Sequence, residues 1–340
     1  MSFRIEQPGL FTTVQDLGRV GHQREGVPVS GAMDPLALRV ANLLVGNDEG
    51  DAALEITLRG PTMVFERDAL IALTGADLNA SIDGERVPAW RAMRVSAGAT
   101  LAFGAPRVGC RAYLAVAGGI AVPPVLGSRS TYTRAKLGGL DGRALRRGDI
   151  LQVGSPSVLA ACLSASLVRG AGRVNGARWG VGSTIRPVYS DAPAVRLIPG
   201  AHEHALTPVA REQLYRGEFR ISSQSDRMGY RLEGPALELA LPLELLSEPV
   251  AFGTVQLPPS GSPIVLMADR QTTGGYPRIG EVATVDLPLL AQLKPGDRVR
   301  FTAISLEEAQ APYVEREREL ARVRQSIALE YRGINGVRFD

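Results

Sequence analysis

The sequence predicts a mainly β protein built from two domains of similar plan. Short apolar runs separated by turn residues predict many short strands, as where Leu54 and Ile56 alternate with polar Glu55. A segment that reads as a turn leading into a strand also occurs twice, at residues 145–151 and 293–299. The two copies are a typical domain length apart, and 340 residues are enough for two hydrophobic cores.

The predicted domains follow from these patterns. We predict a first β-rich domain over residues 1–185 and a second over 186–305, joined through the stretch at 152–190 that is rich in Gly, Ala, Ser and Val. Ser305 followed by Glu308 is the pattern of a capping box. A charged C-terminal helix is therefore predicted over residues 306–340, facing solvent or a partner.

The N-terminal segment, residues 8–35, has the composition of a long polar loop. A loop of this length is usually functional, and we select Gln15, Asp16 and Ser30 in it as candidate ligand contacts. Asp34 and Pro35 predict the N-cap and first turn of a helix. A helix N-terminus can bind an anion, but an aspartate already there opposes one, so plain capping is favoured.

Three further stretches combine polar side chains with glycine. Glu55 lies on the polar face of a predicted strand, where solvent is the favoured surroundings and a cavity the alternative. Residues 127–131 (GSRST) form a dense group of hydrogen-bond donors but lack the spacing of a P-loop. Asp226 and Arg227 precede Gly229, which predicts an ion pair at a tight turn.

The most informative stretch is residues 256–280. A buried strand at 264–268 is followed at once by residues 269–275 (DRQTTGG), so polar groups are delivered to one place and the glycines allow close approach of a ligand. A capped hairpin with a structural Asp–Arg pair is the alternative, and the pattern alone does not separate the two.

Composition excludes several classes of function. The net charge is +3, the lysines are Lys136 and Lys294 alone, and no Lys/Arg block occurs, so nucleic-acid binding is not expected. No apolar stretch is long enough to span a bilayer, and the N-terminus lacks the pattern of a signal peptide. We therefore expect a cytoplasmic protein with no membrane association.

No metal site is predicted. Cys110 and Cys162 lie among apolar residues without metal-ligand spacing, so buried thiols are expected. His202 and His204 would share a face if they lay on a strand, but no third ligand group is visible. A surface pair is favoured for these two histidines.

Several blocks of sequence carry a family resemblance. They are residues 12–16 (TTVQD), 18–19 (GR), 26–34 (GVPVSGAMD), 118–120 (GGI), 127–131 (GSRST), 225–231 (SDRMGYR) and 269–276 (DRQTTGGY). Together they resemble the allophanate hydrolase subunit 2-like, or biotin-dependent carboxyltransferase-like, family over about residues 3–304. The resemblance implies tandem cyclophilin-like β-barrels.

The resemblance also implies three possible roles. The first is the C subunit of an ATP-dependent 5-oxoprolinase, which opens 5-oxoproline to glutamate together with a lactam-binding A subunit and a B subunit similar to allophanate hydrolase subunit 1. The second is the carboxyltransferase part of a urea or amide carboxylase, with carboxybiotin as carboxyl donor. The third is a regulatory protein that antagonises an inhibitor of a sensor kinase. In the first role ATP is used by the complex, and no cofactor is bound covalently to this chain.

Amide chemistry links the first two roles, since both must bind a planar amide and stabilise its oxygen. The chain has no biotin-carrier motif and no ATP-grasp region, which favours a separate subunit of an oxoprolinase. The residues assigned to catalysis are Asp226, Asp269, Gln271, Thr272 and Glu55. Those assigned to substrate binding are Gln15, Asp16, Ser30, Ser128, Arg129, Ser130, Thr131, Arg227, Gln256, Thr273, Gly274, Gly275 and Tyr276.

Overall fold

The computed structural model describes residues 2–167, 172–241, 243 and 245–335, and for 331–335 the backbone alone. The chain divides into two units. The first comprises Met1–Gly18, Asp34–Pro187 and Glu317–Asp340, and the second comprises Arg19–Met33 and Val188–Arg316. Much of the polar N-terminal loop is thus part of the second unit, although the sequence placed it in the first domain. The C-terminal helix contributes to both units rather than standing apart.

The first unit contains two six-stranded sheets. Its described strands are β1 (Ser2–Gln7), β2 (Phe11–Gln15), β3 (Ala53–Thr57), β4 (Thr62–Phe65), β5 (Ala69–Asp77), β6 (Ser81–Ile82), β7 (Glu85–Arg86), β8 (Ala92–Val95), β9 (Thr100–Ala102), β10 (Val108–Val116), β11 (Ile150–Gln152) and β12 (Val174–Gly176). One sheet has the order β11-β1-β4-β9-β6-β7 and the other β12-β8-β5-β10-β3-β2. Its core contains the predicted alternating residues Leu54 and Ile56, both fully buried.

The second unit is a closed barrel. Its described strands are β13 (Ala194–Pro199), β14 (Phe219–Ile221), β15 (Gly229–Glu233), β16 (Glu248–Pro249), β17 (Thr254–Gln256), β18 (Ile264–Leu266), β19 (Thr273–Gly274), β20 (Arg278–Val282) and β21 (Arg298–Ala303). The barrel order is β13-β20-β17-β18-β15-β14-β21, and β16 pairs with β19 in a separate two-stranded sheet. Phe219 and Phe301 pack inside it with ring centroids 5.8 Å apart. The mainly β prediction is confirmed.

The repeated turn is present in both units. The Asp149 carboxylate accepts a hydrogen bond from the Arg146 amide at 2.7 Å, and Asp297 accepts one from the Lys294 amide at 3.0 Å. Each turn leads directly into a strand, β11 in the first unit and β21 in the second. The sequence repeat therefore marks the same local structure twice.

Five α-helices occur among the described residues. They are α1 (Pro35–Leu44), α2 (Val158–Ser166), α3 (Pro208–Arg216), α4 (Leu287–Ala291) and α5 (Leu306–Asn335), with short 3-10 helices at Gln23–Glu25, Thr133–Ala135, Glu203–Ala205 and Thr284–Asp286. The predicted caps are confirmed, because Asp34 accepts from the Ala37 amide and the Ser305–Glu308 box forms both its hydrogen bonds. Within the first unit, Glu317 of α5 forms a bidentate pair with Arg39 of α1. Residues 336–340 of the predicted helix lie outside the described residues. In the part of the chain that is described, every helix is too short or too polar to cross a membrane.

Candidate functional site

Asp16 organises the GSRST segment of the first unit. Its Oδ1 accepts hydrogen bonds from the Ser128 and Ser130 hydroxyls at 2.7 and 2.5 Å and from the Gly18 amide at 2.7 Å. Its Oδ2 accepts one from the Arg129 amide at 2.5 Å. The donors that the sequence predicted for a ligand are thus used inside the protein, around a buried carboxylate. This cluster fixes the shape of two loops.

The neighbouring polar side chains of the first unit are also largely satisfied. The Thr131 hydroxyl donates to the Val14 carbonyl at 2.9 Å, and Arg129 Nε donates to the Val122 carbonyl at 3.0 Å. Gln15 donates through Nε2 to Thr13 and to the Thr131 carbonyl, while its buried Oε1 has no hydrogen-bond partner among the described residues. Of the residues predicted here, Gln15 keeps an acceptor available for a ligand.

Glu55 is fully buried, so the prediction that it faces solvent is wrong. It pairs across the sheet with Thr13 and Tyr113, and the Tyr113 hydroxyl donates to its carboxylate at 2.7 Å. The same hydroxyl accepts from the Asp34 amide at 2.7 Å, at the N-terminus of α1. Helix α1 packs on the face of the sheet that carries Glu55, whereas Leu54 and Ile56 lie in the core on the other face. Both faces of this strand are therefore covered.

The buried Tyr113 hydroxyl makes the free energy of unfolding depend on pH. Burial raises the pKa of its hydroxyl well above the ordinary value, and the charge of Glu55 adds to the increase. Because the folded state holds this proton more tightly, the stabilisation is complete below the ordinary tyrosine pKa of about 10 and is lost as the pH rises above it. We expect the free energy of unfolding of the wild type to fall more steeply above about pH 10 than that of Tyr113→Phe.

The measurement is urea unfolding followed by tryptophan fluorescence, because Trp90 and Trp179, the two tryptophans of the sequence, both belong to the first unit. At neutral pH, Tyr113→Phe is expected to lose about 1–3 kcal/mol, since it leaves the Glu55 carboxylate without this donor. Tyr276→Phe in the second unit is the control, and it is expected to leave the pH dependence of the free energy of unfolding unchanged. Equal slopes above pH 10 for wild type and Tyr113→Phe would contradict the assignment.

In the second unit, Asp269 and Arg227 form a buried bidentate ion pair. Arg227 donates through Nε to Oδ2 at 2.9 Å and through Nη2 to Oδ1 at 3.0 Å. Ser30 donates to the same Oδ1 at 2.6 Å, and Arg227 Nη2 also donates to the Gly31 carbonyl at 2.6 Å. Ser30 has a φ of 58°, so the pair holds a backbone corner in the left-handed region. The polar N-terminal loop and the start of the 269–276 segment therefore meet within this unit.

Asp226 lies at the predicted tight turn, and its predicted ion pair with Arg227 stays a prediction. Its carboxylate accepts from the Met228 amide at 2.8 Å and from the Gly229 amide at 3.3 Å, which shapes the turn into β15. Arg227 forms a buried ion pair with Asp269, 42 residues further along the chain. The sequence did not identify Asp269 as a partner of Arg227, because tertiary contacts bring the two residues together.

The segment after Asp269 leaves several donors uncommitted. Gln271 makes a long hydrogen bond of 3.4 Å to Gln256 Oε1, and the buried Gln256 Nε2 has no partner among the described residues. A Cβ atom on Gly274 would lie 2.4 Å from that Nε2, so a larger residue there would displace the Gln256 amide. The Thr272 and Thr273 hydroxyls make no hydrogen bond within the described chain. These groups, with exposed Gly275, can bind a ligand.

Tyr276 lies at the edge of a cavity of about 370 Å³ in the same unit. The cavity lining is mostly polar and includes Ser222, Gln224, Arg231, Ser260 and Ser262. Tyr276 is half exposed there. Its predicted role in binding a substrate stays a prediction.

The two histidines are not on a strand. His202 immediately precedes the 3-10 helix Glu203–Ala205, and His204 lies within it. His202 Nδ1 accepts a hydrogen bond from the Arg278 amide at 3.1 Å. Among the described residues, no group of three His, Cys, Asp or Glu side chains is arranged to hold a metal ion. His202 is a structural acceptor in this arrangement.

Two further side chains of the second unit belong to this region and were not selected from the sequence. Arg270 is half-buried, and burial lowers its pKa. Burial likewise raises the pKa of Glu281, against the hydrogen bonds that Thr254 donates to it. Arg270 could have been found from the sequence, because it lies inside the DRQTTGG segment. The sequence analysis assigns its neighbours Asp269 and Gln271 to the site and not Arg270.

The fold and these sites define a mainly β protein with a barrel that carries polar, glycine-flanked loops. A family model described as the carboxyltransferase domain, subdomain A and B, matches residues 25–303. The chain belongs to this family, and the resemblance seen in the sequence motifs is confirmed.

The similar proteins fall into two groups. The chain is 41% identical to the 5-oxoprolinase C subunit of Haemophilus influenzae over 87% of this chain and 89% of that protein. It is 43% identical to the 5-oxoprolinase C subunit of Escherichia coli over 90% and 92% of the two chains. Among solved structures, the urea amidolyase of K. lactis matches 95% of this chain with 30% identity and a TM-score of 0.85. This chain spans only 20% of the length of that solved protein.

Proposed function

We propose that this chain is the C subunit of an ATP-dependent 5-oxoprolinase. In the proposed reaction, water adds its oxygen to the lactam carbonyl carbon of 5-oxoproline, the ring C–N bond breaks, and glutamate is formed, while ATP is hydrolysed to ADP and phosphate. The chain would act with two partner proteins, a lactam-binding A subunit and a B subunit similar to allophanate hydrolase subunit 1. A cytoplasmic complex, with access to ATP, is part of the proposal.

The observation that carries the proposal is the match in length. The two 5-oxoprolinase C subunits correspond to this chain over about nine tenths of both partners, at 41% and 43% identity. The urea amidolyase of Saccharomyces cerevisiae is 32% identical, and only 17% of its length corresponds. A relative that shares the whole chain supports a shared role better than one that shares a single part.

The geometry of the second unit supports amide chemistry. Opening a lactam places negative charge on its carbonyl oxygen, and donors positioned for that oxygen lower the barrier. The uncommitted Thr272 and Thr273 hydroxyls and the buried Gln256 Nε2 are donors of this kind. By contrast, Asp269 is held by Arg227 and Ser30, so we assign it to orienting the loop rather than to proton transfer.

The test is reconstitution with the two partner proteins. We expect formation of glutamate and ADP from 5-oxoproline and ATP only when all three proteins are present. Thr272→Val, which keeps the side-chain shape and removes the hydroxyl, is expected to lower kcat by about tenfold or more, whereas Thr302→Val, at an exposed threonine of the same unit, is the matched control. Turnover by this chain alone, or none by the full set, would refute the proposal.

A carboxyltransferase function is the second candidate, since the K. lactis urea amidolyase superposes over 95% of this chain. In that role carboxybiotin would donate a carboxyl group to an amide nitrogen. The complex would then lose activity when avidin is added. Activity that is insensitive to avidin favours the oxoprolinase.

A further inference from the structure

Arg270 differs from other partly buried arginines of the second unit. Arg227 holds the Asp269 carboxylate with two nitrogens, and Arg196 holds that of Asp286 at 2.8 and 2.6 Å. Within the described residues, the Arg270 guanidinium has no carboxylate at ion-pair distance. The fold thus satisfies two guanidinium groups of this unit with its own carboxylates and leaves that of Arg270 available.

The position of Arg270 is nonetheless fixed. Its Nη1 donates to the Met267 carbonyl at 3.4 Å, and its guanidinium carbon lies 5.7 Å from the centroid of the Phe252 ring. A cation over an aromatic face is held without using its in-plane donors. A half-buried guanidinium that lacks a counter-ion is unfavourable, and planar carboxylates are the ligands that such a fork binds best.

A carboxyl group of the protein lies near this arginine without pairing with it. Glu281 on β20 interacts electrostatically with Arg270 and accepts hydrogen bonds from the Thr254 hydroxyl at 2.8 and 3.0 Å. Thr254 is fully buried, so it fixes the carboxyl group on the barrel. A ligand that offers a carboxylate to Arg270 and an N–H to Glu281 matches both groups at once.

We propose that Arg270, supported by Phe252 and next to Glu281, is the carboxylate-binding residue of this barrel for a small molecule that carries a carboxylate and an N–H. This inference rests on the proposed function, in which 5-oxoproline has both groups on adjacent atoms. It adds a specificity-determining residue to the set derived from the sequence. The glutamate product, which carries a carboxylate next to an amino group, belongs to the same chemical class.

Arginine labelling tests the proposal on the full chain without an activity assay. We expect phenylglyoxal, followed by mass spectrometry of peptides, to modify Arg270 faster than the ion-paired Arg196. Added 5-oxoproline or L-glutamate should slow the modification of Arg270 about tenfold, while exposed Arg300 is unaffected. No protection would overturn the proposal. Equal protection by inorganic phosphate would also overturn it, because the site would then select any anion.

Kinetics in the complex with the two partner proteins test the same residue separately. Arg270→Lys keeps the charge but loses the planar fork, and we expect the KM for 5-oxoproline to rise about tenfold with kcat nearly unchanged. Glu281→Gln should also raise KM, and Arg300→Gln, at an exposed arginine of the same unit, should change neither constant. If the complex turns over normally and Arg270→Lys has the wild-type KM, the inference fails while the proposed function stands. If no turnover occurs, the proposed function fails and the labelling still decides the inference.

Discussion

Asp16→Ala is expected to destabilise the first unit by about 3–5 kcal/mol. The wild-type carboxylate is buried and accepts four hydrogen bonds, from the hydroxyls of Ser128 and Ser130 and the amides of Gly18 and Arg129. Removing it leaves all four donors without their acceptor in a place that water reaches poorly. Hydrogen bonds to a charged group contribute about 1.5–3 kcal/mol each, but bonds to one group are not additive.

The measurement is again urea unfolding followed by the fluorescence of Trp90 and Trp179. Asp48→Ala is the matched control, because Asp48 is an exposed aspartate of the same unit. It is expected to change the free energy of unfolding by less than about 0.5 kcal/mol. Ser128→Ala should lie between the two, since it removes one donor and keeps the carboxylate. If Asp16→Ala were as stable as Asp48→Ala, the cluster would not be a structural one.

The residues of this cluster show where sequence reasoning succeeds. Asp16 and the GSRST segment were singled out because hydrogen-bonding groups concentrate there, and the structure does bring them together. What the sequence did not contain is that the donors of one segment bind the carboxylate of the other, 112 to 114 residues away. Asp16 and the donors of the GSRST segment were each predicted to contact a ligand, but in the structure they bind each other.

The strands and caps were easier to predict, because their signals are local. The alternation of Leu54 and Ile56 and the capping pattern at Asp34 depend only on neighbouring residues, and both are confirmed. The environment predicted for Glu55 was wrong because it does not depend on neighbouring residues. Its environment depends on α1 and on Tyr113, 58 residues away, and the sequence does not tell which face of a strand a helix will cover.

The segment at residues 269–276 was left with two interpretations, and both describe part of it. Asp269 forms a structural pair with an arginine, as the hairpin alternative held, but that arginine is Arg227. The Thr272 and Thr273 hydroxyls make no hydrogen bond among the described residues, and Arg270 has no carboxylate partner there, as a binding site requires. The structural residue and the residues available for a ligand can be told apart only from their hydrogen-bond partners, which are set by tertiary contacts.

Asp269→Ala is expected to destabilise the second unit by about 3–5 kcal/mol, because it leaves the buried Arg227 guanidinium without the carboxylate that binds two of its nitrogens. The double variant Arg227→Met with Asp269→Ala removes that guanidinium. We therefore expect it to be more stable than the sum of the two single effects, with a coupling energy of about 1–3 kcal/mol. A merely additive double variant would contradict a direct pair.

Because both tryptophans belong to the first unit, the second unit needs its own probe. Hydrogen exchange of peptides from β18, measured by mass spectrometry at increasing urea, reports the opening of the barrel strand that leads to Asp269. Glu233→Ala is the control, since it breaks the exposed Arg220–Glu233 pair of the same unit and should leave the exchange of β18 almost unchanged. If Asp269→Ala opened β18 no more than Glu233→Ala does, the buried pair would contribute little to the barrel. Asp269 would then have to act in the reaction itself, and its assignment to orienting the loop would fail.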